Sequence, residues 1–156
     1  MIIRRFEETD AKEVSDLIRK TLMESNSTDY PENIIEELVE RHTPEYIKDR
    51  AGWTHFYVAS EKGQIIGCGA IGPYWDKEDE SALFSLFVLP EIQKKGVGKA
   101  LVETLEQDEY ARRAKRIEIA ASITGLEFYK KLGYEYKNGI DEPDEELLYR
   151  LEKYRK

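Results

Sequence analysis

Residues 81–101, SALFSLFVLPEIQKKGVGKAL, place the tightest limit on the fold. The run 81–89 is almost entirely apolar, and a strand apolar on both faces belongs inside a sheet. Pro90 ends it. Gln93, Lys94, Lys95, Gly96, Val97, Gly98 and Lys99 follow, and Leu101, Val102 and Leu105 then recur at helical spacing. The stretch is therefore strand, glycine loop, helix. Glycines let a loop turn its N–H groups inward as an anion nest, and the unpaired N–H groups and dipole of the following helix strengthen the attraction. We read the loop as a phosphate cradle supplemented by lysine side chains. The plainer alternative is a solvated helix start.

The remaining chain supplies the partners of that central strand. Residues 1–6 read as a first strand. Asp10 is a candidate N-cap, with Glu13 at the third helical position, for a helix carrying Val14, Leu17, Ile18 and Leu22. Pro31 suits the first turn of a second helix, faced by Ile34, Ile35, Leu38 and Val39, and Pro44 starts a short third one. HFYVAS (55–60), the EKG turn (61–63) and QIIGCGAIG (64–72) form a hairpin. Glycines 67, 69 and 72 weaken its second strand, as at a bulge or a close approach. Residues 73–80 form a polar loop. RIEIAA (116–121) alternates as a strand, ITGLEFYKKL (123–132) is an amphipathic helix stopped by Gly133, and YEY (134–136) and 146–153 are further strands. Helices first and strands in the middle predict an α+β fold with a largely antiparallel central sheet, one domain over residues 1–156.

Composition removes several function classes. The net charge of −8, with 32 acidic and 24 basic residues, argues against a nucleic-acid binder. No apolar run reaches membrane-spanning length, and MIIRRFEETD lacks the features of a secretory signal. We expect a cytoplasmic protein without membrane contact. Cys68 is the single cysteine, so no internal disulfide can form. His42 and His55 are the only histidines, and no metal site is expected.

Two familiar phosphate loops fail to match. Gly98-Lys99 is followed by Ala100, not Ser or Thr, and Gln93 stands where a Walker loop needs its first glycine. Leu101 stands at the third glycine of a dinucleotide loop. What remains, Q-x-x-G-x-G after a strand ending V-L-P, resembles the acetyl-CoA loop of the GNAT N-acetyltransferase superfamily. FSLFVLPEI before it and LEFYKKLGYEY after it are similar to that family's fourth strand and last motif, and the element order matches over nearly the whole chain.

The resemblance implies a GNAT-like mixed, largely antiparallel sheet with flanking helices, whose fourth and fifth strands splay at a bulge. It implies acetyl-CoA as co-substrate, with pantetheine amides on the backbone of Phe87 and Val88 and pyrophosphate on the N–H groups of Lys94, Lys95, Gly96, Val97, Gly98 and Lys99, after Gln93. A backbone N–H of Leu86 or Phe87 would meet the charge on the carbonyl oxygen. Tyr129 matches the usual general acid. A tyrosine stays protonated at neutral pH and can donate. Ser122 stands where many relatives carry an asparagine that contacts CoA. The base position on the fourth strand is Ala82, leaving Glu80, Asp79 and His55 as titratable groups to consider. Tyr30, Tyr74 and Trp75 are pocket residues for the acceptor, a small-molecule or peptide primary amine that an acidic chain would favour. The expected function is acetyl transfer to an amine by a monomer or homodimer. The alternatives are acetylation of a whole protein and a non-catalytic GNAT-fold module that holds acyl-CoA as a regulatory ligand.

Overall fold

The computed structural model describes residues 1–155. Seven strands form one mixed sheet: β1 (Ile2–Arg5), β2 (His55–Glu61), β3 (Gln64–Pro73), β4 (Glu80–Val88), β5 (Arg116–Ser122), β6 (Glu135–Tyr136) and β7 (Leu148–Tyr154). Their order is β1-β2-β3-β4-β5-β7-β6; β4 and β5 run parallel and every other pair is antiparallel. Helices α1 (Ala11–Glu24), α2 (Glu32–Arg41) and α3 (Pro44–Trp53) precede the hairpin, and α4 (Val97–Gln107), α5 (Glu109–Arg112) and α6 (Leu126–Lys131) follow the central strand. The α+β expectation and the order of elements hold.

Two apolar clusters sandwich the sheet. Val14, Leu17, Ile18 and Leu22 of α1 and Ile47 of α3 pack on Phe56, Val58, Cys68 and Ala70. Val102 and Leu105 of α4 pack with Ile71, Leu83, Ile117, Ile119, Tyr129 and Leu151. Alternation along β5 sends Ile117, Ile119 and Ala121 to the second cluster and Arg116 and Glu118 to the other face, where they pair with each other. One local expectation changes. Asp10 precedes α1 but makes no side-chain cap; Arg4 takes its carboxylate at 2.8 and 3.0 Å, and the Glu7 N–H donates to it at 2.8 Å. Glu13 instead accepts from the backbone N–H of Ile65 at 2.7 Å. A charged fork nearby outcompetes the neutral cap donors.

The central strand carries the decisive irregularity. β4 pairs with β5 only from Glu80↔Arg116 to Leu83↔Ile119. Beyond that rung β4 stays with β3 and β5 stays with β7, so Phe84–Val88 and Ala120–Ser122 part. The cause lies in β4. Ser85 adopts φ +54°, and the register with β3 slips between Cys68↔Phe87 and Ala70↔Phe84, leaving Ser85 and Leu86 opposite Gly69. That is a β-bulge, which bends its strand away from the neighbour. Gly69 makes it possible, because a Cβ there would lie 2.7 Å from the Cδ1 of Leu86.

Below the opening, charge ties the parallel pair together. The Arg116 guanidinium contacts Glu80 at 2.8 Å, Glu118 at 2.9 Å and Glu152 at 3.0 Å, and lies over the Tyr74 ring. Lys137 reaches Glu118 at 2.8 Å. Removing a shared cation strands its partners in a poorly solvated site. Arg116→Met is therefore expected to cost about 3 kcal/mol, the low end for a broken buried pair because Glu80 keeps some access to water. Urea unfolding at pH 7 measures this; a loss under about 0.5 kcal/mol, the size of a surface change, would show that the network is not holding β4 to β5.

Candidate active site

The parted strands open into a cavity of about 1120 Å³. Ligand pockets usually span roughly 300–1,000 Å³, so this one lies at the large end of the range. Residues 84–88 line one side and 118–122 the other. Gln93, Lys94, Gly96, Gly98 and Lys99 lie at one end, and residues from α2, α3 and the loop before β4 at the other.

The glycine-loop end has the backbone shape expected of an anion nest. Lys94 (φ +66°) and Gly96 (φ +89°) both adopt left-handed conformations immediately before α4. Gly96 has open space where a Cβ would be, so the dihedral alone requires glycine there. Gly98 is favoured for another reason: a Cβ would lie 3.0 Å from the Phe128 ring of α6, which would have to yield by a few tenths of an ångström. Two residues grouped with this loop in the sequence lie off the cavity. Val97 is buried in the core, and Lys95 points into solvent. Gln93 turns back, its Nε2 donating to the Val88 carbonyl at 3.1 Å, which Thr21 Oγ1 also approaches at 3.4 Å. In this structure the Val88 carbonyl thus has side-chain donors that a ligand amide would displace, a competition invisible in the sequence.

Tyr129 projects from α6 into the same cavity. It is 5 % exposed, its ring packs edge-on against Phe128 and Tyr134, and among the described residues no protein group hydrogen-bonds its hydroxyl. Burial, with the Cys68 thiol nearby, raises its pKa above the ordinary phenol range, so it remains a neutral donor. Cys68 is itself inert: burial pushes its thiol up to about 12, and its Sγ donates to the Ser85 carbonyl behind the bulge. Ser122 Oγ lines the cavity and accepts from the Gly125 N–H at 3.0 Å, turning the chain from β5 into α6.

The titratable groups considered from the sequence are placed elsewhere. Glu80 does not line the cavity, because Arg116 holds its carboxylate. Asp79 faces Lys115 at 4.0 Å. His55 is fixed by Asp108 at 2.9 Å, which also accepts from the Tyr57 hydroxyl at 2.6 Å, away from the opening. Among the groups that sequence reasoning passed over, Glu118 and His42 are buried and face the cavity. Glu118, register partner of Ala82, is 3 % exposed but is committed to Arg116 and Lys137. His42, just past α2, packs edge-on against Phe87 of the parted strand. Its Nδ1 lies 2.7 Å from the Leu38 carbonyl, which can only accept, so Nδ1 carries the proton. Burial chiefly, then the charges of Arg41 and Arg50 against a gain from the Leu38 bond, lowers its pKa. The ring is neutral at pH 7, with a lone pair on Nε2. No motif surrounds His42 in the chain; only the fold of α2 against β4 reveals it.

All three predicted pocket aromatics line the cavity, in different ways. Tyr30 is buried with its hydroxyl fully used: it donates to the Leu147 carbonyl and accepts from the Ile123 N–H, both at 2.8 Å. Tyr74 accepts from Lys137 at 3.1 Å beneath two cations. Trp75 is 80 % exposed at the rim. Tyr30 and Tyr74 shape the wall, and Trp75 alone is open to a ligand's face.

The comparisons with known proteins agree with this architecture. The profile of the Acetyltransferase (GNAT) family matches residues 19–134, and the chain belongs to that family. An uncharacterised N-acetyltransferase of Chlorobaculum tepidum is 38 % identical over 90 residues, 58 % of this chain and 52 % of that protein. The chain spans about half the length of the curated relatives it matches. Among solved structures, the PaiA N-acetyltransferase of Thermoplasma acidophilum in complex with coenzyme A superposes with a TM-score of 0.82 at 19 % identity, covering 99 % of this chain and 98 % of that one. An aminoglycoside 6'-N-acetyltransferase complexed with coenzyme A gives 0.70 at 18 % identity, over 97 % and 94 %. Among the described residues no helix is long and apolar enough to cross a membrane.

Tyr30→Phe tests the wall directly. It leaves a part-buried N–H and a part-buried carbonyl without their shared partner, at an expected cost of about 1 kcal/mol. Chemical denaturation reads the loss; unchanged stability would mean that water replaces the hydroxyl and that the clasp does not hold the loops.

Proposed function

We propose that the chain acts as a single N-acetyltransferase domain, moving an acetyl group from acetyl-CoA straight to a primary amine. The observation that carries this reading is the meeting of the parted β4 edge with an unpartnered, protonated Tyr129 hydroxyl inside one cavity. Family membership and the CoA complexes of the structural neighbours support it.

The residues present fit an acyl-CoA. The open edge of Leu86, Phe87 and Val88 offers backbone groups to an extended amide chain, as in strand addition. The nest from Lys94 to Lys99 and the start of α4 offer N–H groups and two lysines to a pyrophosphate. Bound acetyl-CoA would supply a thioester, whose carbonyl carbon the amine attacks. A backbone N–H of Leu86 or Phe87 meets the charge gathering on the carbonyl oxygen. Tyr129 gives its proton to the departing sulfur as the C–S bond breaks. His42 Nε2, neutral and lone-paired, takes the proton that the amine sheds. In this reading the base is His42, just past α2, and not Glu80, whose carboxylate is held by Arg116.

The decisive measurement is thiol release with a panel of amines. Tyr129→Phe is expected to lower kcat by about 10²-fold, the low end for acid catalysis because a CoA thiolate leaves readily, with acetyl-CoA affinity unchanged. A folded variant with wild-type kcat would reject the acid role. If acetyl-CoA raises the melting temperature yet no amine or protein is acetylated, the regulatory-module reading takes over.

His42 has its own signature. Its folded pKa lies below the reference value of roughly 6.5, so the lone pair persists to lower pH than in a free histidine. The acid limb of kcat in the wild type is expected below that value and is expected to vanish in His42→Gln. A limb retained in the variant assigns the proton acceptor elsewhere.

The phosphate loop divides its lysines. Lys94→Glu or Lys99→Glu should weaken acetyl-CoA on the order of ten-fold, about 1.4 kcal/mol, whereas Lys95→Glu, off the cavity, should not. Calorimetric titration separates them; equal losses for all three would reduce the effect to general surface charge.

A further inference from the structure

Arg50 has no role in the scheme above, yet it stands at its centre. It projects from α3 onto the bulge, where Nη1 donates to Ser85 Oγ at 3.1 Å and Nη2 donates to the Tyr46 hydroxyl at 2.9 Å. Its guanidinium lies over Phe84 (4.9 Å), Tyr46 (5.3 Å) and Trp53 (5.4 Å). It is half-buried and lines the cavity. Among the described residues its contacts are hydroxyls and rings, with no carboxylate in ion-pair range, whereas Arg116 and Arg150 are each matched with acids. In a chain with an excess of acids this is a conspicuous vacancy of charge.

A partly desolvated cation without a counter-ion is costly, and the bond to Ser85 uses only one of its N–H groups. Tyr46 and Ser85 each bind one prong of the guanidinium, which fixes its plane while leaving other N–H groups free. A guanidinium so held is preorganised for a planar, two-oxygen anion. We propose that Arg50 is the anchor for a carboxylate on the amine acceptor, so that the acceptor class is amino-acid-like. A phosphate would call for more than one held cation; Arg41 also lines the cavity but is exposed, and Lys94 and Lys99 lie at the opposite end. Because Arg50 touches the bulge itself, the anchored carboxylate sits within a few bonds of an amine entering the gap. Across the mouth, Glu145 and Glu146 are exposed and line the same cavity, so its two sides suit the two charges of such an acceptor.

This inference rests on the acetyltransferase reading, and the experiment separates the two. Each common amino acid is compared with its carboxamide and its decarboxylated amine, with kcat/KM expressed per neutral amine. The wild type is expected to favour the carboxylate member by roughly ten- to hundred-fold, the worth of one charge-assisted contact. In Arg50→Met the preference should collapse towards unity while turnover of the best decarboxylated amine persists. Arg50→Lys keeps the charge, loses the fork, and should fall between them; circular dichroism and the acetyl-CoA melting shift establish that each variant is folded. Equal loss for all three amine types in a folded Arg50→Lys would make Arg50 a brace for Ser85 and overturn the anchor, as would a wild type indifferent to the carboxylate. If nothing in the panel is acetylated, the transferase reading falls and calorimetry on the CoA-bound protein decides the anchor: carboxylate-dependent binding lost in Arg50→Met supports it, and no binding overturns it.

Discussion

Ser85 holds a backbone conformation that side-chain-bearing residues seldom adopt, and the surrounding structure is arranged to keep it there. Gly69 leaves room beside the bulge, Cys68 donates to the Ser85 carbonyl from one side, and Arg50 donates to its hydroxyl from the other. Strain of this sort persists only where the neighbours over-determine it. Its consequence is that β4 keeps its bonds to β3 and loses those to β5, so a central strand acquires an open edge in the interior of a sheet. The cavity, the exposure of Tyr129 to it and the approach of His42 to Phe87 all follow from that parting.

An opening of this kind needs a fastening below it. Arg116 supplies it through Glu80 on β4, Glu118 on its own strand and Glu152 on β7, with Lys137 returning charge to Glu118. Two parallel strands that share only four rungs are thus tied by ion pairs where they meet and free where they part. The same network holds the Glu80 and Glu118 carboxylates in ion pairs, while the histidine past α2 stays outside it.

Much of the fold was legible in the chain because it rests on periodicity and punctuation. The apolar run 81–89 marked the central strand, Gly96 and Gly98 the helix entry, and LEFYKKLGY the last helix and its stop. What remained hidden depended on contacts between distant segments. Asp10 looked like a helix cap until Arg4, across a turn, claimed it. Glu80 sat two residues from the expected base position but faced an arginine from β5. His42 and Arg50 carried no pattern at all; they matter because α2 and α3 fold over the bulge. The three aromatics picked by type line the cavity, but their division into wall and open face was set by hydroxyl partners at Leu147, Ile123 and Lys137.

The open edge of β4 also bears on how such a protein can change over time. A dihedral angle, a missing Cβ and a row of peptide groups define it, and peptide groups are the same whatever side chains they carry. Substitutions along the strand can therefore accumulate so long as the kink survives, consistent with a superposition at a TM-score of 0.82 with only 19 % identity. The opposite wall has no such insurance, because Arg50, His42 and Trp75 present side chains to the cavity. One half of the cavity is buffered against drift and the other is exposed to it, so the side-chain wall can be remodelled by mutation without disturbing the backbone edge that faces it.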